Sequence, residues 1–178
     1  MATTKWAVDP THSEVGFKVK HLMFTNVSGS FNLFTVNTET ADEDFNNAKV
    51  DFSAEVASVS TNNEQRDEHL KSADFFDAAA FPIITFTATK YSSVDNDGSY
   101  ELTGDLTLHG VTKPVTLSVE FGGVIKDPWG NIKAGFTING KINRKDFGLN
   151  WNAVLETGGV MVSEDVRINA EIQLIKQP

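Results

Sequence analysis

The 178-residue chain has no cysteine, which excludes disulfides and thiolate metal sites and leaves the redox compartment unmarked. Basic residues are scarce: 15 Lys and Arg stand against 24 Asp and Glu, giving a formal charge of −9. That balance argues against nucleic acid as a partner and against docking on anionic lipid through a basic surface. No run approaches the roughly 18 apolar residues a membrane-spanning helix needs. There is no internal repeat, low-complexity tract or linker, so residues 1–178 are expected to form one domain with a core over about 6–175. The N-terminal MATTKWAVDP lacks the apolar stretch of a signal peptide. As it stands the chain is expected in the cytoplasm, or in the periplasm if an export segment has been removed. Tyr and Trp are also few, 2 and 3, whereas Phe numbers 13. Phe brings a large apolar surface with no polar atom to satisfy, which suits an ordinary core or the wall of an apolar pocket equally.

What is present is alternation. In the stretch 10–34, Val15, Phe17, Val19 and His21 face one way and Glu14, Lys18 and Lys20 the other. This period of two predicts a strand with one apolar and one wet face. An apolar corner (Leu22, Met23, Phe24) leads to a second strand carrying Val27, Gly29 and Phe31. Residues 48–57 alternate likewise, with Val50 and Phe52 on the apolar side, whereas the acidic 36–47 reads as a solvated turn region. Further strands carry Ile84 and Phe86, then Leu102, Leu106 and Leu108, then Val115, Leu117 and Val119. Phe136 and Ile138, and finally Val166, Ile168, Ala170 and Ile172, complete the set. The turn Asp95–Asn96–Asp97–Gly98 is a hairpin signal, and Gly135 and Gly140 suit bends or bulges.

One segment changes period. Thr61 followed by Glu64 matches a capping box, predicting a surface helix over 62–72 with an Asp67–Lys71 pair and Arg66, His69 and Leu70 on roughly one side. Phe75, Phe76 and Phe81 then read as an aromatic linker fastening the helix to the sheet.

The class is therefore all-β: about eight antiparallel strands with a short helix inserted mid-chain. An open sheet would leave its apolar face bare, so the strands close into a barrel or fold into a sandwich, and their length favours the barrel. Eight strands enclose a space that side chains fill or that one slender ligand occupies.

The candidate chemistry is sparse. His12, His21, His69 and His109 show no metal-binding spacing, so no metal or other cofactor is expected. No nucleophile motif occurs, and no catalytic residue is assigned. His21, on the apolar face, is either a hydrogen-bonded wall residue or a ligand contact. Arg66 and His69 either anchor the helix or meet a polar head group at a barrel mouth. Arg144 with Asp146 reads as a turn network. The interior wall is assigned to Phe17, Val19, His21, Met23, Phe31 and Phe52 from the first half. Phe86, Leu106, Leu117, Phe136, Ile138 and Ile168 complete it.

Four stretches, DPTHSEVGFKVKHLMFTNVSGSF, TNNEQRDEHLKSADFFDAAAFP followed by ITFTAT, LTGDLTLHGVTKPVTLSVEF and INRKDFGLNW, together resemble the YceI family, in its order and over nearly the whole chain. The resemblance implies a single extended, lipocalin-like eight-stranded barrel whose channel binds a polyisoprenoid, prenyl-phosphate or quinone-like lipid, without catalysis, cofactor or metal. It also implies that many members are periplasmic. Storage or transport of such a lipid is the leading expectation; a homodimer is left open. The rivals are an enzyme modifying an isoprenoid through His21 and Arg66, and a stress-related interaction module with a filled core.

Overall fold

The structure, a computed structural model, describes residues 3–22, 24–41, 43–152 and 162–178. Its strands are β1 (Thr3–Val8), β2 (Glu14–His21), β3 (Thr25–Phe31), β4 (Phe34–Ala41), β5 (Asp44–Glu55) and β6 (Val59–Ser60). Then come β7 (Ile83–Ser93), β8 (Ser99–Leu108), β9 (Val111–Lys126), β10 (Ile132–Asn143) and β11 (Val162–Lys176). Three of these pairs are single staves with a local break. β1 and β2 lie one after the other along β11, with Val8 opposite Leu174 and Glu14 opposite Glu171. Opposite them β4 pairs with β1 and β3 with β2, and β6 continues β5 beyond a 3-10 turn at Val56–Ser58. Eight antiparallel staves result, each bonded to its neighbour in sequence, and the β1–β11 pairing closes the ring. The result is a closed up-and-down barrel, a topology that leaves little free strand edge to template aggregation.

The alternation dictates this closure. Leu102, Gly104, Leu106 and Leu108 point inward along β8, while outward threonines pair across strands, Thr103 with Thr116 at 3.0 Å and Thr107 with Thr112 at 2.7 Å. The β9–β10 register shifts at the Gly135–Phe136 step, where β9 carries the extra residue, Gly122, so the bulge lies opposite one of the glycines expected to bend β10. The break between β1 and β2 is fixed by buried Asp9. Its carboxylate accepts from Thr11 N at 3.1 Å, Thr11 Oγ1 at 2.7 Å and Lys133 Nζ at 2.8 Å, tying the 3-10 turn Pro10–His12 to β10. The Lys133 ammonium holds this carboxyl far below its ordinary value of 3.8 against the opposing effect of burial, with help from His12 and Thr11.

Two expectations are corrected. Residues 36–47 are not a solvated turn: they form most of β4 and the start of β5, with Val36, Thr38, Thr40 and Phe45 buried. Two of the inward positions of β4, 38 and 40, are threonines, so the polar count concealed a regular period of two. The helix, α1, spans Glu64–Lys71, shorter than 62–72, and Asn63 caps it by accepting from Arg66 N at 3.0 Å. Thr61 is not the cap. Its backbone N–H and hydroxyl both donate to Asp67 Oδ1, at 2.8 and 2.6 Å, so Asp67 is engaged there and Lys71 pairs with Glu68 at 3.3 Å.

Strand direction sorts the connections to two ends. The β2–β3 turn, α1, the 75–81 segment and the loop after β10 gather at one, the helix end. The chain termini and the β4–β5, β7–β8 and β9–β10 turns gather at the other.

Candidate functional site

A cavity of about 210 Å³ runs inside the barrel. The interior is therefore not a filled core. Engineered apolar cavities of about 150 Å³ already admit benzene. Inward residues of every stave line it, and among the described lining residues only Thr38 and Tyr91 carry a polar side-chain atom.

At the termini end the cavity rests on a floor of aromatic rings. Phe45 packs 4.9 Å from Trp6, 5.4 Å from Phe121 and 5.1 Å from Phe136, centroid to centroid. Tyr100 joins this floor at 6.2 Å from Phe121 and stacks on Tyr91 at 4.6 Å. At the helix end the cover comes from outside the staves. Phe76, from the segment after α1, meets Phe31 edge-on at 5.7 Å and Phe17 at 6.4 Å, and Leu149 closes in from the loop after β10. Phe75 packs against Trp151 and His69, and Phe81 against His109, so the aromatic linker fastens the helix as expected.

That loop is held by Arg144, which is 3% exposed. Its guanidinium donates to four carbonyls: Leu149 O at 2.6 Å, Trp151 O and Ser163 O at 2.8 Å, and Val162 O at 3.3 Å. Burial lowers its pKa, opposed by nearby Glu164. The turn network read around Arg144 thus exists, but it is built on backbone carbonyls rather than Asp146.

Of the wall residues read from sequence, Phe17, Phe31, Phe52, Phe86, Leu106, Leu117, Phe136, Ile138 and Ile168 line the cavity. Val19 and His21 continue the Phe17 face, half-buried, toward the helix end but do not line it. Met23 lies outside the described residues. Arg66 and His69 also sit at the helix end, off the cavity. Arg66 donates from Nε to Thr61 Oγ1 at 2.7 Å and from Nη2 to Thr61 O at 2.8 Å, and His69 meets Asp74 at 2.9 Å.

Sequence reading did not place Phe45, Phe76, Thr38 or Tyr91 in the wall, and assigned Phe76 only to the aromatic linker. Phe45 lies three residues before Ala48 yet both are buried, because Asn47 takes a left-handed φ of 60° and the β4–β5 register slips there. A strict period of two misses such a residue. An Asn inside a strand was the available signal.

A closed antiparallel barrel around an apolar cavity, with one short helix at its end, defines a lipocalin-like binding fold. The model of the YceI-like domain matches residues 6–174, and the chain belongs to that family. A UPF0312 protein of Staphylococcus aureus strain MSSA476 is 41% identical over 171 residues, 96% of each chain. The crystal structure of the Campylobacter jejuni YCEI protein superposes with a TM-score of 0.76 at 37% identity, covering 96% of each chain. A polyisoprenoid binding domain from Saccharophagus degradans shares the fold at a TM-score of 0.67 and 16% identity, covering 97% of this chain and 98% of that one.

Proposed function

We propose that the protein binds a long apolar lipid of the isoprenoid class inside its barrel and holds or carries it without altering it. The observation that carries this reading is the cavity wall, which among the described residues is apolar on every stave and free of carboxylate, imidazole and ammonium groups. Each buried CH₂ contributes about 0.8 kcal/mol, so a prenyl tail gains affinity from its length rather than from charged contacts. The polyisoprenoid named for the S. degradans domain is the chemistry this wall suits. Catalysis on such a lipid would call for titratable groups convergent on the cavity, and among the described lining residues only Tyr91 titrates. Its hydroxyl is raised by burial, and further by Tyr100, beyond the range of a general acid or base near neutrality.

Native mass spectrometry of the purified protein, with organic extraction, tests the reading. An apolar lipid is expected to co-purify, and delipidated protein to rebind prenyl lipids stoichiometrically. No bound lipid and no rebinding would sink it.

A further inference from the structure

The formal charge of −9 is not spread evenly over the barrel. At the termini end the outward charges of neighbouring strands alternate in sign, with Glu39 of β4 between Lys5 of β1 and Lys49 of β5. Toward the helix end they do not. Lys141 of β10 stands opposite Arg167 of β11, and Arg167 opposite Lys18 of β2, so three cations lie side by side across three strands. Lys20 follows on the same face of β2. Like charges directly opposite one another destabilise a sheet, and little here offsets them. Asp165 meets Lys141 at 3.8 Å and Glu164 is taken by Lys145 at 2.8 Å. Lys18, Lys20 and Arg167 are exposed and have no ion pair among the described residues. The same side ends in an apolar tip. The β2–β3 pairing continues to His21 and Thr25, four residues past the Phe17–Gly29 level, so the hairpin extends about 13 Å along its strands beyond the ring that Phe76 covers. Its turn holds Leu22 at a left-handed φ of 53° and Phe24 at 78% exposure. Such turns ordinarily carry Gly, Asn or Asp, which tolerate that backbone and suit water.

We infer that this hairpin docks the protein on a bilayer bearing anionic headgroups, with Phe24 entering the interface and Lys20, Lys18 and Arg167 facing the lipid phosphates. Interfacial binding uses this combination, apolar side chains within the headgroup layer and basic ones against it. The net charge counts every carboxylate, but screening over about 8 Å keeps those of distant strands from cancelling a cluster this local. The acids of α1 also sit at the helix end, yet α1 packs on β6, and β3 separates β6 from β2. Docking there sets the Phe76 cover beside the bilayer, so an apolar cargo passes between membrane and barrel with little exposure to water. That consequence, unlike the docking itself, rests on the lipid-binding reading above.

The test is co-sedimentation with phosphatidylcholine vesicles, either pure or containing about one third phosphatidylglycerol. Each cation held near an anionic surface is worth about fivefold in affinity. Wild type is therefore expected to prefer the anionic vesicles at least about tenfold, and to lose that preference at high salt. Phe24→Ser, and the triple variant Lys18→Glu, Lys20→Glu and Arg167→Glu, should each weaken binding about tenfold. Their melting temperatures should not fall, because every changed side chain is exposed. Trp129→Ser removes an aromatic that is 83% exposed at the opposite end, and should bind as wild type does. No binding to either vesicle, binding indifferent to phosphatidylglycerol, or a Trp129→Ser loss equal to that of Phe24→Ser overturns the inference. So does a wild-type dimer in sedimentation velocity that Phe24→Ser dissolves while vesicles stay unbound, since the tip then meets a second copy of the chain. Native mass spectrometry of the same proteins keeps the two readings apart. Barrel lipid retained by variants that no longer bind vesicles supports the docking, whereas wild type that binds vesicles but holds no lipid overturns the lipid-binding reading alone.

Discussion

Phe17 and Gly29 are register partners across β2 and β3, and the Phe17 ring occupies the space that a Cβ on Gly29 would fill. Aromatic cover of a strand glycine stabilises a position that otherwise offers nothing to pack. Here it also sets the ring's height above the cavity. Gly29→Ala is expected to push the ring inward, destabilising the protein by about 1–3 kcal/mol, the usual range for overpacking. It should also weaken prenyl-lipid binding several-fold. Urea unfolding and a ligand titration check the two effects separately, and unchanged values for both would show that the ring is free to move elsewhere.

Ala170, on β11 opposite Val15 and Ile138, presents a small wall residue to the cavity. Ala170→Phe places a ring into existing space rather than into packed atoms. Stability is expected to hold within about 1.5 kcal/mol, as for substitutions a site accommodates, while lipid capacity falls at least about tenfold. Native mass spectrometry and urea unfolding of the same preparation supply the readouts. Unreduced lipid occupancy would place the ligand elsewhere.

How much of this was legible beforehand depended on whether inward residues were apolar. Along β2, β8 and β11 they are, so the alternation that placed Phe17, Leu106 and Ile168 carried directly to the cavity wall. Along β4 the inward series runs Val36, Thr38, Thr40, and the threonines blend with polar outward neighbours until no face stands out. Those same threonines are where the interior acquires its polar groups. Phe76 was legible as an aromatic fastener but not as part of the wall, because its place depends on how the 75–81 segment folds back over Phe17 and Phe31. Arg144 was recognised as structural, yet its carbonyl partners at 149, 151, 162 and 163 follow from loop geometry that spacing does not encode.

Asp9 makes stability depend on acid. Its pKa is depressed in the folded state, chiefly by Lys133, so its contribution is complete above the ordinary value of 3.8 and is lost as pH falls toward the lowered folded value. Wild type should therefore lose stability below about pH 4 more steeply than Asp9→Asn. At pH 7 the variant should be weaker by about 1–2 kcal/mol, a modest figure because the cluster reaches solvent on the His12 side. Melting temperatures at pH 7 and pH 3 measure this, and parallel pH profiles for the two proteins would assign the slope to other carboxylates.

Arg144 anchors the loop that brings Leu149 onto the cavity. Replacing it with Met keeps the length of the side chain but leaves the carbonyls of Leu149, Trp151, Val162 and Ser163 without its donors. A loss of about 3 kcal/mol or more is expected, as for breaking a buried hydrogen-bond network. Arg144→Lys should recover little of it, because one ammonium cannot reproduce the planar fork that serves several acceptors. Urea midpoints of the three proteins decide this, and a Lys variant equal to wild type would reduce Arg144 to a simple charge.

Phe76 differs from most of the wall because it belongs to no stave. The aromatic floor at the termini end is built from strand side chains locked in a closed ladder, so opening there would break several strand pairings at once. Phe76 and Leu149 come from connecting segments, which open at lower free energy than strands do. A ligand that enters lengthwise is therefore expected to pass the helix end, with Phe76 as the group that yields. Phe76→Ala removes its edge contacts to Phe31 and Phe17 but no strand hydrogen bond. Prenyl-lipid release should accelerate about tenfold or more, with association also faster, so that the equilibrium constant moves less than either rate. Stopped-flow transfer of a fluorescent lipid to acceptor vesicles measures both directions. A substitution that weakened binding through release alone would make Phe76 a piece of wall, and identical rates would move the entrance away from the helix end.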